Sequence, residues 1–195
     1  MGDPAKQRRT YDKPMHPWQI GRIEKERVIL HEYGLKNKKE IWRMDSARKS
    51  FAGQAKRLIA ATGIQADKER KLLFSRLTRL GLLSGQPKLD DVLSLTLEDV
   101  LNRRLQSLVY KKGYARSMKQ ARQFITHQHV LVSGKTITAP SYLVPLTEEH
   151  TITFLPQSTL ASVDHPERIP IKKKPSKPRP QPARDQRGRR RGRKP

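Results

Sequence analysis

The chain has 195 residues, 42 of them Lys or Arg against 18 Asp or Glu, for a formal charge of +24. With 34% hydrophobic residues and a mean hydropathy of -0.81, it has room for one or two modest cores, and its charge opposes compaction until a polyanion neutralises it. The lack of Cys excludes disulfides and thiolate metal sites, no apolar run approaches the roughly 18 residues of a membrane span, and the N-terminus has no signal-peptide apolar stretch, so a soluble, intracellular polyanion binder is expected.

Residues 1–17 carry Pro4, Pro14 and Pro17 among Lys6, Arg8, Arg9 and Lys13. They read as an extended basic arm of the kind that lies along nucleic acid. Trp18, with Ile20, is expected to anchor the first helix by packing. That helix is predicted over 19–33, with Ile23, Val28, Ile29 and Leu30 as its apolar stripe and Gly34 as its stop. Asn37 and Glu40 form a capping pair that opens a long helix over 38–61. Its inward residues are Ile41, Trp42, Ala52, Ala55, Leu58 and Ile59, and its other faces carry Lys38, Lys39, Arg43, Arg48, Lys49, Lys56 and Arg57. A third helix over 67–80 turns Leu73, Leu77 and Leu80 inward, and Leu89–Leu93 adds a further turn. Residues 18–95 thus make a small helical bundle.

A second unit is expected over 96–160. Thr96 with Asp99 caps a helix whose apolar face is Leu97, Val100, Leu101, Leu105, Leu108 and Val109, and which Gly113 ends. Arg103, Arg104 and Gln106 fall off that face and are expected to point outward. Ser117 with Gln120 caps the next helix, which buries Met118, Ala121, Phe124 and Ile125. From His129 the period changes to two, and Ser133-Gly134 makes a two-residue hairpin turn into Lys135–Thr138. The fold class is α+β: an N-terminal helical bundle plus a module of two helices on a short hairpin sheet, with disordered basic tails.

The outward surface of this module has the chemistry of RNA binding. A helix N-terminus offers N–H groups and positive potential to phosphate, and Arg116, Ser117, Lys119 and Gln120 surround one. Arg forks onto phosphate oxygens or lies on a base. The candidate RNA contacts are therefore Arg103, Arg104, Lys111, Lys112, Arg116, Ser117, Lys119, Gln120, Arg122, Gln123 and Lys135, extended by the basic faces of the 38–61 helix. Recognition would read shape and backbone more than base sequence.

From Arg168 onward lie 13 of the basic residues and one acidic residue, half of the net charge. Residues 161–195, rich in Pro, Arg and Gly, are expected to be a disordered tail that reaches into RNA. Asp90-Asp91 belongs to a short turn, Asp99 to a cap and Glu148-Glu149 to a polar loop, and no phosphate-binding loop or activated nucleophile accompanies them. No enzyme is expected. His127 and His129 have no acidic neighbours in sequence and are expected to be a surface or RNA-facing pair, so neither a metal nor another cofactor is predicted.

The segment from Leu101 to Val144, with Arg-Arg-Leu-Gln, Ala-Arg-Ser, a second Ala-Arg and Val132-Ser133-Gly134-Lys135, resembles the RNA-binding module named after the fourth protein of the small ribosomal subunit. HPWQ, EYGLKNKKEIWR and LLFSRLTRLGLL extend the likeness from Met1 to Phe154, in the archaeal type of the family, counterpart of the ninth protein of the eukaryotic subunit. Some members hold zinc through cysteines near the amino terminus, which this chain lacks. The resemblance implies direct binding to small-subunit ribosomal RNA, an early role in assembling the subunit body, and a place in the cytoplasmic ribosome near messenger RNA. It also implies contact with neighbouring small-subunit proteins, notably the fifth, with an influence on translational accuracy, and no homo-oligomer. Two other readings use the same residues: a general RNA- or DNA-binding polyanion chaperone, and an accessory subunit of an RNA-modifying enzyme.

Overall fold

The computed structural model describes residues 9–85, 87–162 and 165–167. Four helices open it: α1 (Ile20–Glu32), α2 (Lys38–Ala60), α3 (Ile64–Arg79) and α4 (Leu89–Ser94). Residues Ile41, Met44, Phe51, Ala55 and Leu58 of α2 recur at helical spacing and are buried. Phe51, Ala55 and Leu58 pack on Leu73 and Leu77 of α3 and Val92 of α4 as one core. Each buried Phe, Leu or Val among them contributes about 1.5–3 kcal/mol by leaving water.

Two short helices follow, α5 (Leu97–Asn102) and α6 (Leu105–Lys111), and then α7 (Met118–Thr126). The second core gathers Leu105, Leu108 and Val109 of α6 with Ala121, Phe124 and Ile125 of α7. Both helices pack on β1 (Val130–Val132), the middle strand of a three-stranded antiparallel sheet with β2 (Lys135–Thr136) and β3 (Thr153–Phe154) at its edges. Val130 and Val132 face inward, so a strand of three residues suffices to fix the register. Ser133 and Gly134 both take positive φ, 48° and 76°, the two-residue turn whose twist matches the strands. Tyr33, Met44, Val100 and Leu101 form a third cluster between the other two, with Met118 and Leu143 against it.

Several expectations need correcting. The single helix predicted from Thr96 is the pair α5 and α6, separated where Arg103 ends one and Arg104, in extended conformation, begins the other. The Thr96–Asp99 cap forms as expected. The break turns Arg104 and Gln106 inward, each 1% exposed, because α6 leaves the axis that α5 would have continued. Trp18 does not anchor α1: it is 86% exposed and Ile20 is exposed beside it, and the one buried side chain of α1 is Glu26. Val28 and Ile59 also face solvent. Asn37 makes no side-chain cap; the backbone N–H of Glu40 donates to the Asn37 carbonyl at 3.1 Å instead. Glu148 and Glu149 lie in a one-turn helix, α8 (Leu146–Glu149), rather than a loop.

Residues 9–17 have no regular structure and lie beside α2, where the backbone N–H of Asp12 donates to Ser46 Oγ at 2.9 Å and Tyr11 meets the Trp42 ring. The expectations for residues 1–8 and for 168–195 lie outside the described residues. Among the described residues no helix is long and apolar enough to cross a membrane.

Candidate nucleic-acid interface

The start of α7 is set by two local bonds. Ser117 Oγ accepts from the backbone N–H of Gln120, and Gln120 Oε1 accepts from the backbone N–H of Arg116 at 2.7 Å. The side chains on either side of the helix start are thereby fixed. Buried Gln106 holds this end from below: its Nε2 donates to Met118 O at 2.8 Å, Tyr33 O at 3.1 Å and Gly34 O at 3.3 Å. Gly34 has φ +56°, and a Cβ there would stand 2.9 Å from Met118 Cβ. The end of α1 thus packs backbone-close against α7.

The result is a groove of about 600 Å³ lined by His31, Glu32, Tyr33, Asn102, Tyr110, Lys111, Arg116, Ser117, Met118 and Lys119. Lys111 and Lys119 are exposed, Arg116 half-buried, and Tyr110 is 42% exposed. Positive potential at a helix N-terminus, two exposed ammonium groups and a guanidinium outnumber the single Glu32 carboxylate, and with an aromatic face they make a surface suited to a nucleic-acid backbone with a neighbouring base. Tyr110 is a groove residue that the sequence reading misses, although its place beside Lys111 and Lys112 is a usable signal.

The other predicted contacts lie elsewhere. Arg122 points at α2: its two Nη atoms donate to Glu40 at 2.8 and 3.2 Å. Arg104 Nη2 donates to the same carboxylate at 2.7 Å. Arg103 is mostly enclosed, with Glu149 at 2.8 Å and Val144 O at 2.9 Å, and Lys112 Nζ donates to Glu149 O. Each of these cations thus has a partner within the chain. Burial alone would raise the pKa of Glu40, but hydrogen bonds from Arg122 and Arg104 outweigh it and hold the carboxyl below its ordinary value. Burial pushes Arg104 downward and Glu40 opposes that shift.

On α2, Lys39, Arg43, Lys56 and Arg57 are exposed, while Lys49 and half-buried Arg48 share Asp45 at 2.8 Å each. Lys38 is 3.2 Å from Glu26. Gln123 is exposed on α7, and Lys135 is exposed on β2, the sheet's edge. None of these lines the α7 groove. His127 and His129 stack with ring centres 6.2 Å apart, and His129 Nδ1 is 2.9 Å from Ser158 Oγ. Among the described residues, no group of three or more His, Cys, Asp or Glu gathers to hold a metal ion.

Comparison with known proteins adds two findings. Residues 103–150 match the S4 domain family, a span that runs from the α5–α6 break to the end of α8. Over 169 residues, 86% of this chain and 96% of the relative, the chain is 54% identical to small ribosomal subunit protein uS4 of Methanococcus aeolicus. The chain belongs to the uS4 family. Similar uS4 proteins from two strains of Methanococcus maripaludis, C6 and C7, are each 50% identical over 86% of this chain and 95% of their own length. The likeness to uS4 therefore takes in both the helical bundle and the S4 domain.

Proposed function

We propose that the chain is a structural constituent of the small ribosomal subunit that binds the subunit's RNA directly. It is not an enzyme. The observation that carries this reading is the groove at the α7 N-terminus, which lies within the S4 domain match apart from the helix ends that wall it. Lys111, Arg116 and Lys119 there are suited to grip phosphates, with Ser117 and Gln120 fixing the helix start and Tyr110 available to a base. The exposed cations of α2 and Lys135 extend the contact electrostatically. Arg103, Arg104 and Arg122 support this surface from within by holding α2, α5, α6 and α8 in place.

By its family likeness the chain is further read as an early binder that nucleates the subunit body. In that reading it touches the fifth small-subunit protein, influences accuracy of translation and lies near messenger RNA in the cytoplasmic ribosome. The chain divides into a helical part over 18–95 and an RNA-binding part over 96–160, braced by Glu40 across the division, and needs no second copy of itself.

The test is binding of the full chain to the 5′ portion of small-subunit ribosomal RNA across a salt series, with unrelated folded RNA and duplex DNA as competitors. Counterion release makes non-specific affinity fall steeply with salt. A preference for the ribosomal fragment that persists at high salt supports the proposal. Equal collapse on all three polyanions favours a general polyanion binder instead.

A further inference from the structure

Around Glu40, the groups do not balance. Its one carboxylate receives Arg104 and Arg122, and exposed Arg43 lines the same pocket of about 210 Å³ with Ala139, Pro140 and Ser141. Three guanidinium groups and one carboxylate thus line this pocket, an excess of two positive charges. Arg104 is 1% exposed, and its Nε and Nη1 are buried without a hydrogen-bond partner among the described residues. Buried donors of this kind are costly to leave unpaired, and those of a charged group most of all.

We propose that this pocket binds a single phosphate group, supplied by an RNA backbone. The inference rests on the RNA-binding reading above but concerns a different place, between α2, the start of α6 and the 139–141 loop. A phosphate accepts hydrogen bonds from several directions at once and so suits forked guanidinium donors better than a further carboxylate would. Arg43 supplies an exposed guanidinium, Arg122 a second one paired to Glu40, and Ser141, which also lines the pocket, an uncharged hydroxyl. Ala139 and Pro140 add apolar atoms to the rim. Glu40 orients Arg104 and Arg122 while leaving the site net positive.

The test has two arms, both on the full chain. In the first, the side-chain NMR signals of Arg43, Arg104 and Arg122 are followed during titration with inorganic phosphate, against chloride at equal ionic strength. Phosphate-specific shifts that weaken in Ser141→Ala are expected. Equal shifts with both salts overturn the site, whatever the chain's preference among RNAs.

In the second arm, affinity for the ribosomal RNA fragment is measured for Ser141→Ala, Arg43→Gln and, as a charge-matched control on exposed α3, Lys68→Gln. Ser141→Ala leaves charge unchanged, so a loss of about threefold or more reports a lost hydrogen bond rather than a weaker field. Arg43→Gln is expected to lose about tenfold and Lys68→Gln much less. Unchanged affinity in Ser141→Ala, with Arg43→Gln no worse than Lys68→Gln, overturns the assignment to RNA. It leaves intact the broader reading, which the wild-type preference tests alone.

Discussion

Arg104 Nη2 lies 2.7 Å from Glu40 Oε2, a bond between side chains 64 positions apart that joins the start of α6 to the first turn of α2. A buried ion pair adds little over apolar packing, yet removing one partner leaves a buried charge uncompensated. Glu40→Ala is therefore expected to cost about 3–5 kcal/mol in urea denaturation. Arg104→Met should cost less, because Arg122 remains on Glu40 and the methionine fills the space. Equal losses in the two variants would show that packing, not charge, holds this junction.

Acid should weaken the same junction. The carboxyls of Glu40, Glu26 and Asp45 are all held below their ordinary values, each against the upward push of burial, by the cations around them, with Trp42 also donating to Glu26. A depressed folded-state pKa gives stability that is fully present above the unfolded value and is lost as pH falls through the folded one. For Glu40 that loss begins near 4.5 and continues below it. Unfolding free energy measured from neutral pH down to about 3 should fall less steeply in Glu40→Gln than in the wild type.

Two glycines should respond in opposite senses to alanine. Gly34 has φ +56°, and a new Cβ would press on Met118 Cβ at 2.9 Å and Lys119 N at 3.2 Å, so Gly34→Ala is expected to destabilise by about 1–3 kcal/mol. Gly53 lies within α2, and a methyl group added there would meet nothing within 4 Å. Gly53→Ala should therefore stabilise by about 0.5–1 kcal/mol through helix propensity. Thermal or urea unfolding of both variants checks the pair.

The two tryptophans should also separate. Trp18 is nearly free in solvent, and Trp18→Ala should change stability by less than about 0.5 kcal/mol. Trp42 Nε1 donates to buried Glu26 at 2.9 Å. Trp42→Ala removes that donor and should cost about 1–3 kcal/mol. Intrinsic fluorescence offers an independent check, since the Trp18 signal should be that of a hydrated indole.

What is legible in the sequence is mostly local. The Thr96–Asp99 and Ser117–Gln120 caps, the Ser133-Gly134 turn and the alternation of Val130 and Val132 each depend on residues within four positions of one another, so spacing alone places them. What stays hidden is non-local. Nothing near Arg104 or Gln106 in the chain indicates that α5 and α6 part at Arg103, because the partners that draw those side chains inward are Glu40, Met118, Tyr33 and Gly34. Glu40 reads as a cap residue for the same reason: its true partners are 64 and 82 positions away. Trp18 misleads by its type, because a large apolar residue before a helix is ordinarily packed. Among the candidate contacts, Lys111, Arg116, Ser117 and Lys119 do come together in one groove, as helix-start chemistry suggests. Arg103, Arg104 and Arg122 lie outside that groove and pair with Glu149 and Glu40.

Whether the α7 groove, rather than total charge, selects the RNA is decided by two charge-reversal pairs of equal size. Lys111→Glu with Lys119→Glu alters the groove, and Lys68→Glu with Lys71→Glu alters exposed α3. Affinity for the 5′ fragment of small-subunit ribosomal RNA is measured for both at high salt, with folding verified by urea unfolding. A loss of about 100-fold is expected for the groove pair and at most a few-fold for the α3 pair. Equal losses for the two pairs would mean that total charge decides, and the groove would lose its role.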